Sequence, residues 1–203
     1  NIKRAKIENK GKMNCTISSK ILAFLNANGV DTHFVEQLDE TSQICKVVEH
    51  MPFEVIVRNV IAGSMAKRLG IDEGVVPENT IFDLCLKDEE LGDPLINDHH
   101  AVALGVATYE ELVKIYEISA RVNKLLTELY ASVGIRLVDF KIEFGRAADG
   151  ALVLADELTP DTCRIWDAET GECMDKDRFR RDLGRVGETY QEVAHRICNA
   201  LNK

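Results

Sequence analysis

The chain has 203 residues, 45% of them hydrophobic, enough for one substantial core or two closely packed lobes. Its formal net charge of −9, from 34 acidic against 25 basic residues, disfavours a general nucleic-acid or membrane-surface binder, which needs a positive face to meet phosphate. A small anionic substrate held by a local group of arginines is still allowed. Cys15, Cys45, Cys85, Cys163, Cys173 and Cys198 are scattered without a CxxC pair. Buried, reduced thiols of a cytoplasmic protein are expected from them rather than a zinc site. No apolar run approaches the roughly 20 residues of a membrane span, and no signal-peptide pattern opens the chain.

In chain order, Lys12 to Asn28 predicts an amphipathic helix, with Ile17, Ile21, Leu22 and Leu25 at helical spacing and Gly29 as its stop. Three β-branched runs follow as strands, Thr32–Leu38, Ser42–Val48 and Phe53–Ile61, with Glu49-His50-Met51-Pro52 breaking the second from the third. A short helix is expected over Met65–Leu69 and a strand over Ile81–Leu86, and the stretch from there to Val106 reads as loop. Thr108, with Glu111 three residues on, forms a capping box for a long helix that runs to Val133 and stops at Gly134. Next comes a hairpin. Val138, Phe140, Ile142 and Phe144 alternate with Asp139, Lys141 and Glu143, giving one apolar and one charged face. Its second strand is Leu152–Asp156, a polar segment covers Glu157 to Lys176, and a helical region closes the chain from about Asp177 to Leu201. Helices and strands mix without βαβ alternation, which favours an α+β architecture with antiparallel sheets.

The hairpin carries the strongest chemical signal. With Asp149-Gly150 as a two-residue turn, positions equidistant from it face each other, and Glu143 comes opposite Asp156. Like charges so placed destabilise a sheet unless something neutralises them, and Mg²⁺ on a nucleotide would do so with hard oxygen ligands. A solvated acidic face is the bland alternative, and Lys141 between two acids also fits a structural ion ladder. Arg58 and Ser64 bracket a strand end and turn. Gly63 there allows close backbone approach and Ser64 reads as an N-cap, a combination suited to a phosphate monoester. Pro160 makes Asp156–Asp167 read as a rigid loop. Asp175 to Arg181 reads as a helix start with its acids first. His99 and His100 are adjacent and lack a third ligand, so a metal role is not favoured. No Ser/His/Asp or Cys/His pattern is present.

At these residues the chain resembles the phosphoribosylaminoimidazole-succinocarboxamide synthases, the SAICAR synthetases. The matching blocks are Ile7–Gly11, Val57-Arg58-Asn59 with Ala62-Gly63-Ser64, Lys67–Gly70, Asp93–Asn97, Leu137–Gly145, Asp156-Glu157 through Asp167, and Asp175 through Arg180. They occur in family order from about Ala5 to Arg180. The resemblance implies a two-lobed fold with a kinase-like nucleotide cleft. Residues 1–52 would be the remainder of a nucleotide lobe and 53–203 a substrate- and metal-binding lobe. It further implies ATP-dependent joining of L-aspartate to the carboxylate of carboxyaminoimidazole ribonucleotide, through an acyl phosphate, by a homodimeric enzyme.

Carried over by motif, Glu143 and Asp156 would bind the Mg²⁺ of ATP, and Arg58, Ser64 and Arg164 would hold the ribonucleotide phosphate. Asp93 would position the substrate carboxylate through a second metal. Lys141 and Lys87 would lie near the transferred phosphoryl group, and Arg180 would contact substrate. The segment at His50 and Met51 would meet adenine through its backbone. Asp139 is a candidate to accept the amine's proton. Family members also carry a glycine- and lysine-containing strand-loop-strand over the ATP phosphates. Nothing at the start of this chain matches it, and without it ATP binding is expected to be weak. Two competing readings are a small-molecule kinase, which would phosphorylate without aspartate, and a non-catalytic ligand-binding relative.

Overall fold

The computed structural model describes residues 7–202, so Ala5, where the family resemblance starts, lies outside them. The elements run α1 (Lys10–Ala27), β1 (Phe34–Gln37), β2 (Gln43–Cys45), β3 (Glu49–Arg58), α2 (Gly63–Leu69), β4 (Ile81–Leu86), β5 (Leu95–Ile96), α3 (Asp98–Ala103), α4 (Tyr109–Ser132), β6 (Ile135–Arg146), β7 (Leu152–Ala155), β8 (Cys163–Asp167), α5 (Asp177–Arg180) and α6 (Val186–Leu201). β1 and β2 form a separate hairpin, and the other strands form one sheet in the order β5-β4-β3-β6-β7, with β8 paired to the opposite end of β6. Every pairing between these strands is antiparallel. The class is α+β, as the sequence predicts.

Alternation along β3 explains the layering. Met51, Phe53, Val55 and Val57 are buried, while Glu54, Ile56 and Arg58 take the other face. The apolar face packs with Ile17, Ile21 and Leu25 of α1, Leu112, Ile115, Val122 and Leu126 of α4, and Val193 and Ile197 of α6 in one core. Each such side chain, fully buried, contributes about 1.5–3 kcal/mol. α4 begins as predicted. Thr108 Oγ1 accepts from Glu111 N, and Glu111 returns to Thr108 N at 2.8 Å.

Five expectations are corrected. Glu49–Pro52 does not separate two strands but opens β3. The ladder skips from His50–Gly145 to Glu54–Glu143, and Pro52, which has no N–H to give, sits in the gap. The stretch expected as loop before Val106 holds β5 and α3, the latter started by a capping box between Asn97 and His100. Asp156–Asp167 is not all loop, since β8 begins at Cys163, past Pro160. Ser64 is not an N-cap. Ala62 holds that position, and Ser64 lies in the first turn of α2. Of the thiols expected to be buried, Cys85, Cys163 and Cys173 are, whereas Cys45 is exposed.

Two details of β6 decide the site. Its hairpin to β7 closes through a three-residue loop: Gly150 N donates to Ala147 O at 2.9 Å, Ala147 N donates to Ala151 O at 2.9 Å, and Gly150 has φ 81°. Glu143 therefore faces Ala155, not Asp156. The β6–β8 ladder also slips between Leu137 and Asp139. Leu137 and Phe140 both enter the main core, whereas Val138 packs with Val60 and Ala62 instead. The alternation read from Val138 to Phe144 thus changes phase at this bulge.

Candidate active site

The charged face of the sheet is a row across four strands. Arg58 stands opposite Asp139 in the β3–β6 register, and Arg164 stands opposite Asp139 in the β6–β8 register. Arg58 is 3% exposed, so its charge needs partners. Its Nε donates to Asp83 Oδ2 at 2.8 Å, its Nη1 to Asp139 Oδ2 at 3.2 Å, and its Nη2 reaches Ser64 Oγ at 3.5 Å. Arg164 donates through Nη1 to the same Asp139 oxygen and through Nε to Asp177 Oδ2 at 2.8 Å. Asp177 also takes Arg180 Nη1 at 2.7 Å. Gly63, at φ 58°, lets the α2 turn lie over Arg164; a Cβ there would stand 2.5 Å from Arg164 Nη2. Arg58, Ser64, Asp139, Arg164, Asp177 and Arg180 line a cleft of about 350 Å³.

Further along β6, charges of the other type gather. Lys141 Nζ donates to Asp156 Oδ2 at 2.7 Å and Glu143 Oε1 at 3.0 Å, and lies 3.4 Å from Glu54 Oε2. Lys87 Nζ meets Glu143 Oε2 at 2.6 Å. Glu143 and Asp156 thus converge as the sequence implies, though not by facing each other. The backbone turns out of β7 at Asp156, where φ is 67°, and Lys141 joins the two acids. Burial opposes ionisation of Asp156, but the hydrogen bond and charge of Lys141 outweigh it and hold the carboxyl below its usual range. Burial likewise works against the Lys141 ammonium, and Asp156 and Glu143 raise its pKa despite it.

Asp156 faces a second cleft, of about 560 Å³, with Asn14 and Cys15 of α1, His33, Gln43 and His50. Met51, the neighbour of His50, is fully buried in the core, so of the two only His50 lines the cleft. Two carboxylates within reach of one ammonium form a hard-oxygen pair of the kind Mg²⁺ takes together with phosphate oxygens. Asp93 is not brought to them. It accepts from Asp88 N at 2.9 Å in its own turn, and the described residues hold no group of three His, Cys, Asp or Glu side chains placed for a metal. His99 bonds Tyr109 Oη at 2.6 Å and His100 serves the α3 cap, both structural tasks.

Glu54 and Asp83 join the charged face without a motif to mark them, and counting by twos from Arg58 and along Ile81–Leu86 is the signal that places them there. Asp175 and Asp177, which the sequence marks as a helix start and part of a family block, also serve the cleft. Asp175 accepts from Ile165 N and Asp177 N, both at 2.7 Å, and burial pushes its carboxyl up to about 7.

A family profile described as SAICAR synthetase matches residues 1–197. The phosphoribosylaminoimidazole-succinocarboxamide synthase of Clostridium perfringens is 58% identical over 197 residues, 97% of this chain and 83% of that protein. The crystal structure of the enzyme of that name from Ehrlichia chaffeensis superposes with a TM-score of 0.95 at 42% identity, covering 98% of this chain and 85% of that one. A SAICAR synthetase in complex with ADP superposes at 0.94 with 44% identity, over 96% of this chain and 83% of that one. Fold and relatives together define the class as an ATP-dependent ligase of purine biosynthesis. The chain belongs to the SAICAR synthetase family.

Proposed function

We propose that the chain ligates L-aspartate to the carboxylate of carboxyaminoimidazole ribonucleotide at the expense of ATP, with Mg²⁺, giving SAICAR, ADP and phosphate. The observation that carries this reading is the Lys141 cluster, placed where an arginine-lined cleft and a second polar cleft adjoin. Lys141 lines the first and Asp156 the second, so a group passing from one to the other would cross between them.

In this reading the second cleft takes the nucleotide, with the backbone at His50 and Met51 toward adenine. The division into a nucleotide part, 1–52, and a substrate part, 53–203, would be one of ligand-facing surface and not of chain, since β3 runs unbroken through that boundary. Arg58, Ser64 and Arg164 seat the ribonucleotide phosphate. Arg164 Nη2 is suited to this, having no acceptor among the described residues and lying beneath the Gly63–Ser64 turn. Arg180 faces the same cleft from α5 and would contact substrate there. Glu143 and Asp156 would hold Mg²⁺, which supplies charge neutralisation at the phosphates. Lys141 and Lys87, released from the carboxylates, would face the transferred group and offset its charge. Asp139 accepts the amine's proton, since burial pushes its carboxyl up against the pull of Arg164 and Arg58. Six free cysteines accord with a cytoplasmic setting, and the family resemblance with a homodimer.

The test is ADP release by the purified protein with Mg²⁺-ATP and the carboxylated ribonucleotide, with and without L-aspartate, together with the product mass. Aspartate-dependent turnover to the succinocarboxamide is expected. A stable phosphorylated product without aspartate would make the protein a kinase instead, and ribonucleotide binding without turnover a non-catalytic relative.

A further inference from the structure

Glu73 has no part in the site as assigned above. It lies between α2 and β4, and its Oε1 accepts from Gly63 N, the first residue of α2, at 3.0 Å. The same carboxylate takes Arg181 Nη2 at 2.6 and 2.8 Å, from the residue that ends α5. The α2 turn and α5 are different walls of the arginine cleft, with Ser64 on one and Asp177 and Arg180 on the other. Glu73 bridges them.

The bridge also closes a circuit. Arg68 of α2 reaches Asp83 at 3.3 Å, Asp83 takes Arg58, Arg58 and Arg164 share Asp139, and Arg164 takes Asp177. Arg181 lies 3.7 Å from Asp177 and binds Glu73, which returns to α2 through Gly63 N–H. With Arg180, five guanidiniums meet four carboxylates, leaving one positive charge in excess in a chain whose net charge is −9. Phosphate is the chemistry such a ring admits.

We propose that Glu73 is a positioning residue for the ribonucleotide phosphate. By tying the Gly63 N–H to Arg181, it holds the Gly63–Ser64 turn against Arg164 and fixes the separation of the two walls. This rests on the reading in which Arg58, Ser64 and Arg164 seat that phosphate. The tolerance is small: Arg164 Nη2 is 2.5 Å from where a Gly63 Cβ would stand, so slack in the turn displaces the donors the phosphate needs. The hydrogen bond from Arg181 holds the Glu73 carboxyl below its usual range, and Gly63 N–H adds to it against burial, so the bridge is charged at neutral pH.

The test compares wild type with Glu73→Ala, Glu73→Gln and Arg181→Ala in steady-state kinetics. Glu73→Ala is expected to raise the ribonucleotide KM about tenfold, the scale of a lost charge-assisted hydrogen bond, with kcat and the KM of ATP and aspartate within about twofold. Glu73→Gln, which keeps an acceptor for Gly63 N–H, should fall between. An unchanged ribonucleotide KM overturns the proposal. So does a lower one, which would make Glu73 a competitor for the turn's N–H. Equal losses in all three KM values with a collapse of Tm would reduce it to a structural strut. A wild type without aspartate-dependent turnover defeats the ligase reading instead. Thermal-shift titration with inorganic phosphate then still tests the bridge: weaker binding by Glu73→Ala supports it, equal binding overturns it.

Discussion

Asp139 and Glu143 lie on one face of β6, both buried, at 5% and 4% exposure, yet they keep different company. Asp139 is held by the guanidiniums of Arg58 and Arg164, and Glu143 by the ammoniums of Lys141 and Lys87. Arginine offers a planar fork that fixes direction, whereas lysine is a point charge on a flexible stem. Burial follows the same division: the side chain of Arg58 is 3% exposed, while those of Lys141 and Lys87 are 31% and 44% exposed. The Asp139 end is thus a rigid seat, and the Glu143 end a set of charges free to exchange partners. One strand carries a substrate seat and, further along, charges able to exchange partners as a group passes.

The largest expected effect tests the mobile end. Glu143→Gln should lower kcat about 10²-fold or more while leaving the ribonucleotide KM nearly unchanged, since it removes charge handling and not the seat. A raised KM with kcat intact would break the comparison. Arg164→Lys tests the rigid end. The fork to Asp139 and Asp177 is lost, and the ribonucleotide KM should rise about tenfold with a smaller change in kcat. Steady-state kinetics with the ribonucleotide varied separates the two cases. Gly63→Ala should act on the seat through the backbone. Its φ of 58° is strained for alanine, and Arg164 cannot step aside while Asp139 and Asp177 hold it. A stability loss of about 1–2 kcal/mol in urea unfolding and a raised ribonucleotide KM are expected.

Much of this division is legible in the sequence. Alternation around Asp139, Lys141 and Glu143 gives the charged face, and the capping box at Thr108 fixes where α4 begins. Register is harder to read, because it depends on single residues that leave no periodic trace. The hairpin loop takes three residues rather than two, and its register therefore differs from the predicted one by one residue. The bulge at Val138 reverses a side chain that strict alternation assigns to the core. Glu143 and Asp156 still meet, because the positive φ at Asp156 and the reach of Lys141 make up for the shift. Partners distant in sequence, such as Glu73 with Arg181, are invisible to local pattern because each reads as an ordinary surface charge.

The last residue of β6, Arg146, sharpens the comparison by showing an arginine fork engaged in neither task. Its Nε and Nη2 donate to Glu111 at 2.6 and 3.0 Å, pinning the first turn of α4 to the end of the sheet. The Arg146 hydrogen bond, helped by Thr108 N–H and opposed by burial, pulls the Glu111 carboxyl from 4.5 down to about 2. A folded-state value below the unfolded one means that the ionic contribution is fully present above pH 4.5 and is lost as pH falls toward 2. Glu111→Gln keeps an oxygen for the capping box and removes only the charge. The variant should be less stable than wild type by about 1 kcal/mol at pH 7, as befits a partly exposed pair. Urea unfolding across the acid range should show that gap shrinking steadily below pH 4.5, with turnover at neutral pH unchanged. A gap that persists in acid would mean that Arg146 holds the helix by packing, not charge. A loss of turnover would mean that the end of β6 beyond Glu143 also belongs to the site, and the strand would then have two working ends and no purely structural one.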